Sequence, residues 1–318
     1  MNKAAIVGVG LSRFGKRSDV SLRELAAEAV VEAFKHAKNI EPRDIDAVLV
    51  SCAQPERLVV QSNVSPLIAE YLGVKPPKGA VRVEAACSSG GVALRLASAM
   101  IAGGYAENVL VLGVEKMHAA PREEVMTSLS IVADREWESI HGINAPAGSA
   151  LVAQRHIHEY GTTEEQMGYV ALKNHKNGEM NQKAMFRKRI TIQEYADSPI
   201  ISRPLKLYDC SPICDGAACV ILTTAERARR YNDTPIIIEA VAQSTSGNTV
   251  SSLESLTTWP AMREAASQAY RATGIGPGDI DVAEVHDCFT IAEIVEYEEL
   301  GFCEKGMGVG LLRMGSQI

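Results

Sequence analysis

One cysteine, Cys87, stands in the run Glu84-Ala-Ala-Cys-Ser-Ser-Gly-Gly91, between an apolar β-like stretch and a stretch with helical spacing. A thiol at such a junction faces the unsatisfied N–H groups and the positive dipole end of a helix, which favour the thiolate. The four small residues after it let backbone or ligand come close. A thiolate so placed is a nucleophile for carbonyl carbon; the plainer reading is a small buried hydrophobe. A second cluster, His286 and Cys288, lies in Ala283-Glu-Val-His-Asp-Cys-Phe-Thr290. It falls at the end of an apolar run, and strand ends in α/β sheets are where sites form. A lone histidine is often only a satisfied structural residue, but this polar neighbourhood favours chemistry. The other cysteines, 52, 210, 214, 219 and 303, are irregularly spaced, and no second Cys or His pair follows Cys210 and Cys214, so no metal site is expected. A total of seven fits a reduced cytosol better than a disulfide framework.

The elements that must position these residues alternate. Ala4–Val9 is a strand-like run, and Ser21-Leu-Arg-Glu24 offers a capping box for a helix reaching about Ala37. Ile45–Ser51 reads as a buried strand. Val81–Val83 leads into Cys87, a helix is predicted over 88–102, and Asn108–Val114 is the next strand. The alternation predicts a sheet covered on both faces. Residues 118–215 are more polar, with helices near 147–160 and 164–177, and suggest an inserted lid. Ala217–Thr223 resumes a strand. Gly8-Val-Gly10 begins like a dinucleotide fingerprint, but Arg13 takes the third glycine's place and no helix opens there, so the glycines are assigned to a strand-end turn.

A shift of 235 places Ile40, Pro42, Asp44, Ile45 and Asp46 on Ile275, Pro277, Asp279, Ile280 and Asp281. Near the same shift Ala4–Val9 meets Ile236–Val241. This repeat predicts a duplicated α/β domain, unless two αβ connections have converged on Pro and Asp. The counterpart of Cys87 would fall near residue 322, past the last residue at 318, so the second half is expected to be cut short. The final run GMGVGLLRMGSQI is read as holding neither a clear helix nor a capped strand.

Composition sets the outer limits. Apolar residues make up 46% and charged residues 22%, with a net charge of −7 and only short basic runs. Nucleic acid is not an expected partner. No apolar stretch approaches a membrane span, and the N-terminal run lacks a signal segment, which places the expected protein in the cytoplasm.

Taken together, these stretches resemble the thiolase superfamily, in the branch of sterol-carrier-protein-type thiolases and archaeal acetyl-CoA acetyltransferases. The carriers are Ala86-Cys-Ser-Ser-Gly90, Asn174-His-Lys-Asn-Gly178 with Phe186-Arg-Lys188, Asp209-Cys-Ser-Pro-Ile-Cys-Asp-Gly-Ala-Ala218, and His286-Asp-Cys-Phe289, and the likeness runs to about Lys305. The resemblance implies a duplicated fold of two βαβαβ-type halves, layered α-β-α-β-α, with an inserted lid and an incomplete second half. The expected parts are 1–117 with 216–234, the lid 118–215, and 235–318.

By the same resemblance Cys87 takes the acyl group from an acyl-CoA, His286 helps form an oxyanion hole, and Cys288 removes the α-proton of a second acetyl-CoA. Ser211 matches a serine that contacts the pantetheine arm. Coenzyme A enters as substrate, and no further cofactor or metal is implied. A homodimer or homotetramer is implied, and archaeal relatives suggest a hydroxymethylglutaryl-CoA synthase and a zinc-ribbon/OB bridging protein as partners. The family's Gly-His-Pro motif, whose histidine activates the nucleophile, is absent from the 318 residues. Loss of a general base costs about 10²–10⁴ in rate, so weak activity is expected, with a non-catalytic CoA-binding or scaffolding subunit as the alternative.

Overall fold

The computed structural model describes residues 3–247 and 249–313. Its strands are β1 (Ala4–Leu11), β2 (Ala47–Ser51), β3 (Ala80–Val83), β4 (Val109–Lys116), β5 (Ile200–Ser202), β6 (Leu205–Lys206), β7 (Asp215–Thr224) and β8 (Ile236–Ile237). The first helices are α1 (Leu22–His36), α2 (Pro55–Leu58), α3 (Val64–Tyr71), α4 (Ser89–Ala102), α5 (Arg122–Ser130) and α6 (Ala145–Tyr160). They are followed by α7 (Glu164–Met180), α8 (Ile192–Ala196), α9 (Pro260–Thr273), α10 (Thr290–Glu299) and α11 (Gly308–Arg313). None is long and apolar enough to cross a membrane among the described residues. The chain divides into two compact units, Met1–Ser128 with Ile213–Val241, and Leu129–Pro212 with Ala242–Ile318.

The first unit is built on a six-stranded sheet of order β3-β2-β4-β7-β1-β8. β3, β2 and β4 run parallel, and β7, β1 and β8 join antiparallel. All five residues of β2 are buried, as a strand covered on both faces requires. Val48, Val50, Leu110 and Leu112 pack on one face with α1. Ala47, Leu49, Val109 and Val111 pack on the other with Ala93, Ala97 and Ile101 of α4.

The capping box reads as expected: Ser21 Oγ accepts from Glu24 N, and the Glu24 carboxylate accepts from Ser21 N. The glycines of β1 do not make a turn, because the strand continues through them to Leu11. A Cβ on Gly10 would lie 1.9 Å from the Ala29 carbonyl oxygen, so their smallness lets α1 press against the strand.

The repeat survives locally. A 3-10 turn over Pro42–Asp44 recurs over Pro277–Asp279 at the same shift. In each the aspartate carboxylate accepts a backbone N–H three residues back, Glu41 N at 2.9 Å and Gly276 N at 2.8 Å. The strand expected after the second turn is not formed. Residues 282–287 run outside any ladder, Val282 is 72% exposed, and the His286 N–H goes to a side chain instead. An extended segment becomes a strand only when neighbours take up its N–H and C=O groups. The stretch beginning at Ile236 goes to the edge of the first sheet, where Ile236 and Ile237 pair with Ile6 and Ala5. The second layer expected of a duplicated sheet is thus missing among the described residues.

The second unit is mainly helical, with a two-stranded β5-β6 sheet. Its core gathers Ala150 and Ala153 of α6, Met167 and Val170 of α7, and Ile291, Ile294 and Val295 of α10. The final run also differs from its reading, since α11 forms and buries Val309 in this core. Residues 314–318 of that run lie outside the described residues.

Candidate active site

All seven cysteines are described, and Cys87 alone is exposed. It sits in a 3-10 turn, Ala86–Ser88, that feeds α4 at the carboxyl end of β3. Two features hold the turn. Ala86 adopts a left-handed φ of 48°, a conformation that costs a residue with a Cβ about 1–2 kcal/mol. The buried Ser89 hydroxyl offsets this, accepting from Ala85 N at 2.8 Å and donating to the Ala86 carbonyl at 2.6 Å. A Cβ on Gly90 or Gly91 would meet nothing within 4 Å, which leaves open space beside the first turn of α4.

The parallel strands bring Cys52, Cys87 and Glu115 to one end of the sheet. Cys52 donates to Glu115 at 3.6 Å, and burial pushes both groups above their ordinary ranges. Burial likewise raises Cys219 and pushes Cys210, Cys214 and Cys303 up to about 11. These five thiols are held neutral at physiological pH, which removes them as competing nucleophiles.

The second unit brings together the other expected residues. Ser211 N donates to the Cys288 carbonyl at 3.0 Å, and Cys210 and Phe289 form an isolated antiparallel backbone bridge, so Cys210-Ser211 and the His-Asp-Cys-Phe run lie side by side. His286 is exposed, while Cys288 is half-buried against the helical core. Beside them opens a cavity of about 240 Å³ walled by Asn174, His175, Phe186, Tyr208, Ser211 and Asp287, among others. His175 Nδ1 donates to the Lys188 carbonyl oxygen (2.9 Å), and the ring stacks on Phe186 with centroids 6.2 Å apart. Three runs that are far apart in sequence therefore wall one cavity.

Sequence reading missed the groups that fix this loop. Glu296 accepts the His286 N–H at 2.8 Å, and Asn174 Nδ2 donates to both Asp287 and Glu293. The available signal was a set of glutamates interrupting the apolar run after Thr290.

Comparison with known proteins decides the family. A model described as thiolase, N-terminal domain, matches residues 4–226, and one described as thiolase C-terminal domain-like matches 242–317. The chain belongs to the thiolase family. Its thiolase relatives include the acetyl-CoA acetyltransferase of Methanothermobacter thermautotrophicus, 40% identical, with 97% of this chain and 79% of that protein covered. Sterol carrier protein 2 of Bos taurus is 31% identical over 99% of this chain and 59% of its own length. Among solved structures, the Ltp2-ChsH2(DUF35) aldolase superposes with a TM-score of 0.84 at 31% identity, covering 98% of this chain and 80% of that one. The thiolase assignment, in the sterol-carrier and archaeal branch, makes the chain an acyl-CoA acyltransferase by class.

Proposed function

We propose that this thiolase is an acetyl-CoA C-acetyltransferase or 3-ketoacyl-CoA thiolase working through an S-acyl-Cys87 intermediate. The observation that carries the reading is the setting of Cys87, an exposed thiol in the turn before α4 while burial keeps five other thiols protonated. The Cys87 thiolate attacks the thioester carbonyl carbon, the carbon–sulfur bond to coenzyme A breaks, and coenzyme A leaves as the thiol after taking a proton. Cys288 then removes the α-proton of a second acetyl-CoA. The enolate carbon attacks the S-acyl carbonyl, and the bond to Cys87 Sγ breaks to release the 3-ketoacyl-CoA. His286 donates to the oxygen on which charge collects. Ser211, on the wall of the 240 Å³ cavity, contacts the pantetheine arm.

A homodimer or homotetramer is part of the proposal, and so is a cytoplasmic setting. One solved neighbour is named as an assembly of Ltp2 with ChsH2(DUF35), which supports a bridging protein as partner. A hydroxymethylglutaryl-CoA synthase acting next is the remaining proposed partner.

Incubation of the full chain with acetyl-CoA, followed by intact mass spectrometry, tests the reading. An adduct of acetyl mass, absent from Cys87→Ala, is expected. Binding of acetyl-CoA with no adduct would instead favour a non-catalytic CoA-binding subunit.

A further inference from the structure

Each residue of the His286-Asp287-Cys288 segment is tied by one hydrogen bond to a different element. His286 N donates to Glu296 Oε2 of α10, Asp287 accepts from Asn174 Nδ2 of α7, and the Cys288 carbonyl accepts from Ser211 N. The segment has no sheet ladder to hold it. The two side-chain bonds, with the isolated Cys210–Phe289 bridge to which the Ser211 bond belongs, stand where a longer ladder would otherwise fix its course.

Glu296 is unusual among the acids of its helix. Glu293 pairs with Lys173 of α7, Glu298 with His156 of α6 and Lys305, and Glu299 with Arg263 of α9 and Lys305. Among the described residues no lysine or arginine pairs with Glu296, although it is only 4% exposed, and the His286 side chain acts on it electrostatically. A buried carboxylate without a lysine or arginine partner is costly and is seldom kept without a use. Its described use is the His286 amide. Asn174 is comparably committed, because one amide group serves Asp287 and Glu293 together and so joins α7 to the loop and to α10.

We propose that Glu296 and Asn174 are positioning residues, which hold His286 and Cys288 at the geometry that α-proton removal and enolate stabilisation require. This rests on the roles proposed above for His286 and Cys288. Neither residue needs to touch substrate. A bound that fixes a loop to within a fraction of an ångström is enough to affect rate strongly, since reacting groups lose effectiveness steeply with misplacement.

The test uses the full chain and four variants, Glu296→Gln, Glu296→Ala, Asn174→Asp and Asn174→Ala. Backbone amide exchange of the peptide covering 285–289 is followed by mass spectrometry, and exchange of the acetyl-CoA methyl protons for deuterium is followed by NMR. Loss of the acceptor in Glu296→Ala, or of the donors in both Asn174 variants, is expected to speed backbone exchange about tenfold and to lower kcat for proton exchange by a similar factor, with KM nearly constant. Glu296→Gln keeps an acceptor and is expected to recover most of both. Unchanged backbone exchange in the Ala variants overturns the proposal. So does faster backbone exchange with unchanged kcat, or a Gln variant no better than Ala. If the wild type acetylates Cys87 but exchanges no methyl protons, the role of Cys288 and this proposal both fall. If it does not acetylate Cys87, the functional reading itself fails.

Discussion

The Ser51 hydroxyl donates to the Ser89 carbonyl oxygen at 2.9 Å, joining the end of β2 to the first turn of α4 two residues past Cys87. Both serines are buried, and Ser89 also closes the turn through Ala85 N and the Ala86 carbonyl. The nucleophile candidate therefore rests on a small polar knot rather than on apolar packing. Ser89→Ala removes two bonds and leaves Ala85 N without its partner, so a loss of about 1–3 kcal/mol is expected. Chemical denaturation measures the loss, and slower S-acetylation of Cys87 should accompany it. A variant as stable as wild type with unaltered acetylation would contradict this account.

Gly10 faces the backbone of α1, and a methyl group there would sit 1.9 Å from the Ala29 carbonyl oxygen and 2.5 Å from Ala33 N. Backbone cannot move aside as a flexible side chain can. Gly10→Ala is expected to destabilise the first unit by about 3 kcal/mol or more, read as a lower denaturant midpoint. Gly90→Ala, where nothing lies within 4 Å, should change stability little and serves as the control.

Burial pushes the Glu296 carboxyl up to about 7 from an ordinary 4.5. Between these values the folded chain keeps a proton that the unfolded chain releases. Stability therefore falls as pH rises through that window, and the penalty is complete above about pH 7. Glu296→Gln removes the charge. The variant should match wild type near pH 4.5 and exceed it at pH 8 by on the order of 1–3 kcal/mol, while losing some activity. Thermal melts at the two pH values check this, and a pH-independent difference would count against it.

Asp209 is 1% exposed and accepts from the Tyr195 hydroxyl at 3.0 Å, from Lys206 N at 2.7 Å and from the Thr290 hydroxyl. It ties the run after β6 to the start of α10. Asp209→Ala strands two buried hydroxyls and one part-buried N–H, and a loss of about 3 kcal/mol is expected from the summed desolvation. The measurement is denaturant unfolding of the full chain followed by tyrosine fluorescence. Asp209→Asn keeps part of the acceptor set and should fall between the two.

Local signals carried much of the architecture. Ser21 and Glu24 announced the start of α1, and the buried run before Ser51 announced β2. The turn at Pro277–Asp279 was legible because Pro and Asp fix that conformation wherever they recur. Less legible was anything set by distant partners. The segment before Cys288 has the apolar character of a strand, but ladder pairing is supplied by other segments and cannot be read from its own residues. Gly8 and Gly10 suggested a turn because their real constraint, the closeness of α1, is tertiary. Of the expected site residues, Cys87 stood out through its flanks, His286 and Cys288 through their polar cluster at the end of an apolar run, and Ser211 through family likeness. Glu296 went unread and Asn174 was read only as part of a family run, since their meaning lies in which backbone amide or carboxylate they meet.

All ten residues of α10 are buried, four of them glutamates, and three of these find partners in His156 of α6, Lys173 of α7, Arg263 of α9 and Lys305. Such a helix cannot enter the interior ahead of its neighbours without stranding negative charge in an apolar medium. The burial of α10 is therefore tied to the presence of those neighbours. A fragment that lacked one of those helices would leave a buried glutamate of α10 without its partner, in the helix whose first residue, Thr290, lines the cavity.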